Sequence, residues 1–113
     1  MSPITTHILD TSRGHPAAGV RVVLEGLYGH RWTSLGSGAT DGDGRVADLL
    51  PEGAPLEAGT YRLRFEVEDY FEALAVESFY PFVEVVFHLR DPAQHYHVPL
   101  LLNPFGYSTY RGS

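Results

Sequence analysis

The side chains of this 113-residue chain that could do chemistry are six histidines, eight arginines, the carboxylates and the hydroxyls, because cysteine and lysine are both absent. Two of the histidines form a His95-Tyr96-His97 pair. On a strand, residues two apart share a face about 7 Å apart, which suits paired acid–base work or a shared metal ion. The plainer reading is two polar residues on a solvated face, and spacing alone favours it. His7 shares parity with Thr5 and Leu9, opposite to Ile8. A lone strand histidine is more often structural than catalytic. Asp41-Gly42-Asp43-Gly44 invites a calcium-loop reading, but Arg45 falls where a third ligand belongs and Val46 replaces the required glycine. A tight turn fits better, and it delivers Arg45 to the start of a strand. A guanidinium held there is a fixed fork for a carbonyl, carboxylate or imide oxygen. The plainer alternative is a surface arginine beside two aspartates. The ending, Tyr107-Ser108-Thr109-Tyr110-Arg111-Gly112-Ser113, gathers hydroxyls, an arginine and a terminal carboxylate. It also reads as an ordinary polar edge strand, with Tyr110 and Arg111 on opposite faces.

Composition removes several classes of function. Without cysteine there are no disulfides, thiolate nucleophiles or zinc–thiolate sites. Without lysine there is no Schiff base. No Gly-x-Ser-x-Gly elbow is present, so chemistry here would use water directly. A net charge of -6 argues against nucleic acid, whose phosphates need a basic patch. No apolar run approaches the ~20 residues needed to span a bilayer, and residues 1–10 do not read as a targeting signal. The expectation is a cytoplasmic chain with no membrane or nucleic-acid partner.

The elements that must position these residues are short strands. Turn signals recur at Ser12–Pro16, Gly36–Gly38, Asp41–Gly44, Pro51–Pro55 and Asn103–Gly106. Tyr61, Leu63, Phe65 and Val67 alternate with Arg62, Arg64, Glu66 and Glu68, and Val83, Val85, Phe87 and Leu89 repeat this against Glu84, His88 and Arg90. Period-two patterning places one set on a core face and the other toward water. Further strands are predicted at 5–9, 20–27, 32–39, 45–49, 96–102 and 107–111. That makes about eight strands in an all-β two-sheet sandwich, spanning 1–113 as one domain. Asp69–Glu77 breaks the alternation, and Phe71, Leu74 and Ala75 there predict a short helix. Pro99 lies inside a strand and needs an edge, a bulge or an unpaired position.

Three stretches resemble a known family. Thr6-His7-Ile8-Leu9-Asp10-Thr11 with Gly14–Val20, Thr40–Arg45, and His95–Leu101 with Pro104–Ser113 are similar to the transthyretin-related proteins. The ending resembles their 5-hydroxyisourate hydrolase branch, down to its Tyr-Arg-Gly-Ser signature. The resemblance covers the whole chain in order. It implies a transthyretin-like fold and a homotetramer whose site lies in a channel between subunits. It further implies hydrolytic ring opening of 5-hydroxyisourate in urate catabolism, with no cofactor and no metal. Carried over, the catalytic positions are His7, Arg45 and His97, and the substrate-binding positions are Tyr110, Arg111, Gly112 and Ser113. His95 matches the pattern without a clear role, and Asp10 is expected to orient a reacting group.

Amide hydrolysis suits these residue types. A neutral imidazole can take a proton from attacking water, and either His7 or His97 fits. Two close imidazoles disfavour double protonation. Arg45 would stabilise the developing oxyanion. The competing readings are a transthyretin-like carrier without activity and a metal-binding sandwich using His95 and His97.

Overall fold

Strand β1 (Ile4–Asp10) shows how alternation becomes architecture: Ile4, Thr6, Ile8 and Asp10 are buried, while His7 and Leu9 are half-buried on the other face. The same division runs along β8 (Tyr96–Asn103), where Tyr96, Val98, Leu100 and Leu102 point inward and His97 and Leu101 outward. The computed structural model describes residues 2–113. Its remaining elements are β2 (His15–Pro16), β3 (Arg21–Tyr28), β4 (Arg31–Ala39), β5 (Arg45–Val46), β6 (Gly59–Phe65), α1 (Val67–Ala73), β7 (Val83–Leu89) and β9 (Gly106–Thr109).

Two sheets face each other. One runs β4-β3-β6-β7, all antiparallel. The other runs β2-β1-β8-β9, with β5 beside β2 along the free edge of β1. Between them lie Ile4, Ile8, Val22, Leu24, Leu63, Phe65, Leu100 and Leu102, none of which reaches solvent. Each such side chain contributes about 1.5–3 kcal/mol by leaving water, and this burial fixes which face of β1 and β8 is left outside.

The central pair, β1 and β8, is parallel, with Thr5 opposite His97 and His7 opposite Pro99. On the other side of β1, His7 is opposite Arg45. A single row of the outer sheet face therefore carries Arg45, His7 and Pro99, with Thr5 and His97 in the next.

The two-sheet sandwich with one helix is as predicted, with local corrections. The strand predicted to continue through Val67 ends at Phe65, and the helix begins at Val67 rather than Asp69. Val67 and Phe71, one helical turn apart, both bury against the core, so the helix satisfies the apolar position that alternation assigned to a strand. It closes early: Val76 N–H bonds to Phe71 O (2.9 Å) and Ala75 N–H to Glu72 O (2.9 Å), with Ala75 left-handed at φ 59°. The strand predicted at 45–49 keeps two residues, because Leu49 and Leu50 turn into the core. The last strand stops at Thr109. Pro99 lies opposite Tyr110 in that register and offers no N–H, so the ladder lapses and resumes as a single bridge between His97 and Gly112.

Candidate active site

Arg45 is placed by its turn. The carboxylate of Asp41 accepts the N–H groups of Asp43 (2.9 Å) and Arg45 (3.0 Å), and these bonds, Arg45's foremost, hold its pKa below the usual carboxylate value. Gly44 stands at φ 74°, and a Cβ there would come within 2.5 Å of the Ile8 carbonyl oxygen. A small residue is thus required for the turn to lie against β1. The acidic segment serves as the tight turn expected of it. Arg45 leaves it directly across from His7.

His97 is placed by strand pairing and by the C-terminal segment. Gly112 N–H bonds to His97 O at 2.8 Å. Arg111, one residue back, turns the other way: its guanidinium stacks 4.5 Å over the Tyr96 ring and donates to Gln94 Oε1 at 2.8 Å. The next residue but one, Ser113, reaches the site. The four terminal residues expected to bind substrate are therefore divided. Ser113 lines the site and Gly112 packs on His97, whereas Tyr110 and Arg111 line a separate groove of about 240 Å³ beside β7.

The result is a hollow of about 310 Å³ on the outer sheet face, lined by Thr5, Arg45, His95, His97 and Ser113 among others. The His95 and His97 rings lie on one side, 6.5 Å apart and nearly parallel. His7 does not line this hollow, but from the adjacent strand it opposes protonation of His97. Burial pushes the His97 pKa below the usual imidazole value, and Arg45, His7 and His95 push it further, against a smaller opposing effect of the Thr5 backbone. The neutral ring, the form that accepts a proton, is favoured. Beside it stands a permanent positive charge able to hold an oxyanion. Among the described residues, no group of three or more His, Asp and Glu is arranged to hold a metal ion.

Asp10 does not orient the histidines. It is fully buried on the inner face, where it accepts from Ser12 N–H, Ser12 Oγ and Tyr70 Oη (2.7 Å). Burial raises its pKa, but these bonds and that of Arg13 N–H outweigh it and hold the carboxylate ionised. The residue that does reach the histidines is Thr5, whose Oγ1 lies 2.8 Å from His97 Nδ1 and 3.1 Å from His95 Nε2. The signal was its shared parity with His7. That His95 and His97 sit beside this face of β1 is a matter of parallel pairing, which local pattern does not specify.

The chain resembles proteins of two activities. It is 53% identical over 110 residues to a probable 5-hydroxyisourate hydrolase of Caenorhabditis elegans, an alignment covering 97% of this chain and 81% of that one. The structure of a 5-hydroxyisourate hydrolase from Klebsiella pneumoniae superposes with a TM-score of 0.84 at 39% identity, covering 97% and 98% of the two chains. Sea bream transthyretin in complex with thyroxine superposes with a TM-score of 0.90 at 32% identity, covering 98% and 95%. Backbone likeness thus does not separate hydrolase from transthyretin, and the site residues must. No helix among the described residues is long and apolar enough to cross a membrane. Both kinds of relative meet in one family model, that of the HIUase/Transthyretin family, which matches residues 4–112, and this chain belongs to that family.

Proposed function

We propose that this chain hydrolyses 5-hydroxyisourate, opening its six-membered ring at an amide. The observation that carries this reading is the meeting of Arg45 and His97 in one hollow, with Thr5 and Ser113 completing its wall. The hydrolase relatives support the same substrate.

His97 acts as the base, because burial and the neighbouring Arg45 keep its ring neutral near pH 7. Water gives a proton to His97 as its oxygen bonds to the ring carbonyl carbon. The carbonyl oxygen gains negative charge, and Arg45 holds it; removing such a donor from a preorganised site costs ~2.7–4 kcal/mol. The carbon–nitrogen bond then breaks, and His97 gives a proton to the departing nitrogen, which returns the ring to its neutral form. His7, opposite Arg45 on the same sheet face, stands beyond the wall of the hollow and meets the substrate where its ring extends past that wall. Gly112 and Ser113 close the hollow, and Tyr110 and Arg111 hold that closure in place.

The hollow lies on an open sheet face. We place the working enzyme as a homotetramer in which other subunits cover that face. The exposed Val86, Tyr107 and Tyr110 on and beyond the edge strands β7 and β9 support contact between subunits along those edges.

The test is to generate 5-hydroxyisourate freshly from urate with urate oxidase and follow its ultraviolet absorbance with and without the protein. Faster decay than the spontaneous rate, lost in His97→Ala and Arg45→Ala, is the expected result. Binding of the substrate without acceleration would leave a carrier instead. Light scattering after size exclusion reads the assembly.

A further inference from the structure

Thr5 has no part in the reaction as written above, yet its hydroxyl touches two imidazoles, His97 Nδ1 at 2.8 Å and His95 Nε2 at 3.1 Å. A hydroxyl has one proton to give. It can donate to one of these nitrogens while accepting from the other, and it cannot donate to both. The tautomers of the two rings are thereby linked. The three groups also form a path: His95 is exposed, Thr5 is buried and His97 is half-buried in the hollow.

Two arrangements satisfy the geometry. In the first, His97 Nδ1–H donates to Thr5, and Thr5 donates to His95 Nε2. In the second, both bonds reverse, and a neutral His97 carries its proton on Nε2. Only the first leaves the Nε2 lone pair of His97 free for water. Arg45 on β5, His7 on β1 and His95 face the ring; they favour its neutral form without choosing between its tautomers, so the choice rests on the hydrogen-bond geometry.

We infer that Thr5 is a positioning residue that holds His97 as its Nδ1–H tautomer and, with His95, forms a relay carrying the proton taken from water to solvent. This rests on His97 being the base. The protons balance. His97 Nε2 takes the water proton, its Nδ1 proton passes to Thr5 Oγ1, and the hydroxyl proton of Thr5 passes to His95 Nε2. His95, now an imidazolium, releases its Nδ1 proton to bulk water. As His97 Nε2 gives its proton to the departing nitrogen, the path runs back: Thr5 Oγ1 returns a proton to His97 Nδ1, His95 Nε2 returns one to Thr5, and His95 Nδ1 takes one from bulk water, which restores the hydroxyl and both starting tautomers.

The experiment reads tautomers directly, by long-range nitrogen–proton correlation of the histidine rings in nitrogen-15-labelled protein at a pH where His97 is neutral. The expected result is Nδ1–H for both His97 and His95. Thr5→Val removes the hydroxyl at nearly unchanged shape; it should leave His97 a tautomer mixture and lower kcat about tenfold or more with KM within about twofold. Thr5→Ser should restore both, which separates loss of the bond from damage to the fold. His95→Ala should slow turnover in dilute buffer, and added imidazole should recover it. A wild-type His97 found as Nε2–H overturns the inference, as does Thr5→Val with unchanged tautomers and full rate. If the wild type does not accelerate hydrolysis, the proposed function and the relay both fail, while the tautomer spectrum still decides whether Thr5 orients His97.

Discussion

Gly112 lies flat against His97: its N–H bonds to the His97 carbonyl oxygen at 2.8 Å, and a Cβ on it would stand 2.6 Å from the ring's Cδ2. The same Cβ would come within 3.2 Å of Pro99 Cγ, so the chain cannot step aside without breaking the bridge. The glycine is needed here for closeness, and the imidazole is clamped between the C-terminal segment and Thr5.

Gly112→Ala should therefore displace the ring while leaving both sheets intact. Carbon atoms need roughly 3.5–4 Å between them, so the ring must move by about 1 Å, a shift that costs up to about a hundredfold in rate. We expect kcat/KM to fall at least about tenfold, with an unchanged circular-dichroism spectrum. Full activity in this variant would mean that the exact seat of His97 does not matter to the reaction.

The pH dependence follows from the lowered pKa of His97. A base works in its neutral form, so the acid limb of kcat/KM should lie below the ordinary imidazole value of about 6.5. Stability has the same sign. Below about 6.5 the unfolded chain binds the proton more readily than the folded one, so the contribution of His97 is complete above that pH and lost as pH falls through the folded value. Arg45→Gln removes one of the causes of the depression and should raise the His97 pKa in a proton-resonance titration. A downward movement would mean that Arg45 acts on the ring other than by its charge.

Asp41 does not line the hollow but sets the turn that carries Arg45. Asp41→Ala removes an acceptor shared by two backbone N–H groups, whereas Asp41→Asn keeps a carbonyl oxygen in its place. We expect the alanine variant to lose about tenfold or more in kcat/KM through misplacement of the guanidinium, and the asparagine variant to stay within about threefold of wild type. Equal losses in both would assign the effect to the charge of Asp41 rather than to the turn.

Ala75 ends the helix in a left-handed conformation that is costly for any residue with a Cβ. Ala75→Gly relieves about 1–2 kcal/mol of that cost and returns about 0.4–1 kcal/mol to the unfolded chain. Urea denaturation should show a net gain of about 0.5–1 kcal/mol with unchanged hydrolase activity. A loss of stability would mean that the Ala75 methyl group contributes packing that outweighs the strain.

Much of this protein is determined locally. Alternation along 4–10, 61–65, 83–89 and 96–102 specifies strands and their buried faces, because a period of two puts every other side chain against the core. The turn residues at 41–44 and 103–106 mark where strands reverse, and the motifs around His7, Arg45 and His97 mark the family. Alternation could not end β6 before Val67, since an apolar residue there satisfies a strand and a helix alike. Other features exist only once distant segments meet. The bond from Thr5 to His97 spans 92 residues and depends on the parallel pairing of β1 with β8. Arg111 turns to Tyr96, and Asp10 to Tyr70 on the inner face, because sheet register decides which side each faces. Residue type and spacing thus determined what chemistry was available, while strand pairing decided which groups share one hollow, since pairing partners are chosen by burial across the whole chain.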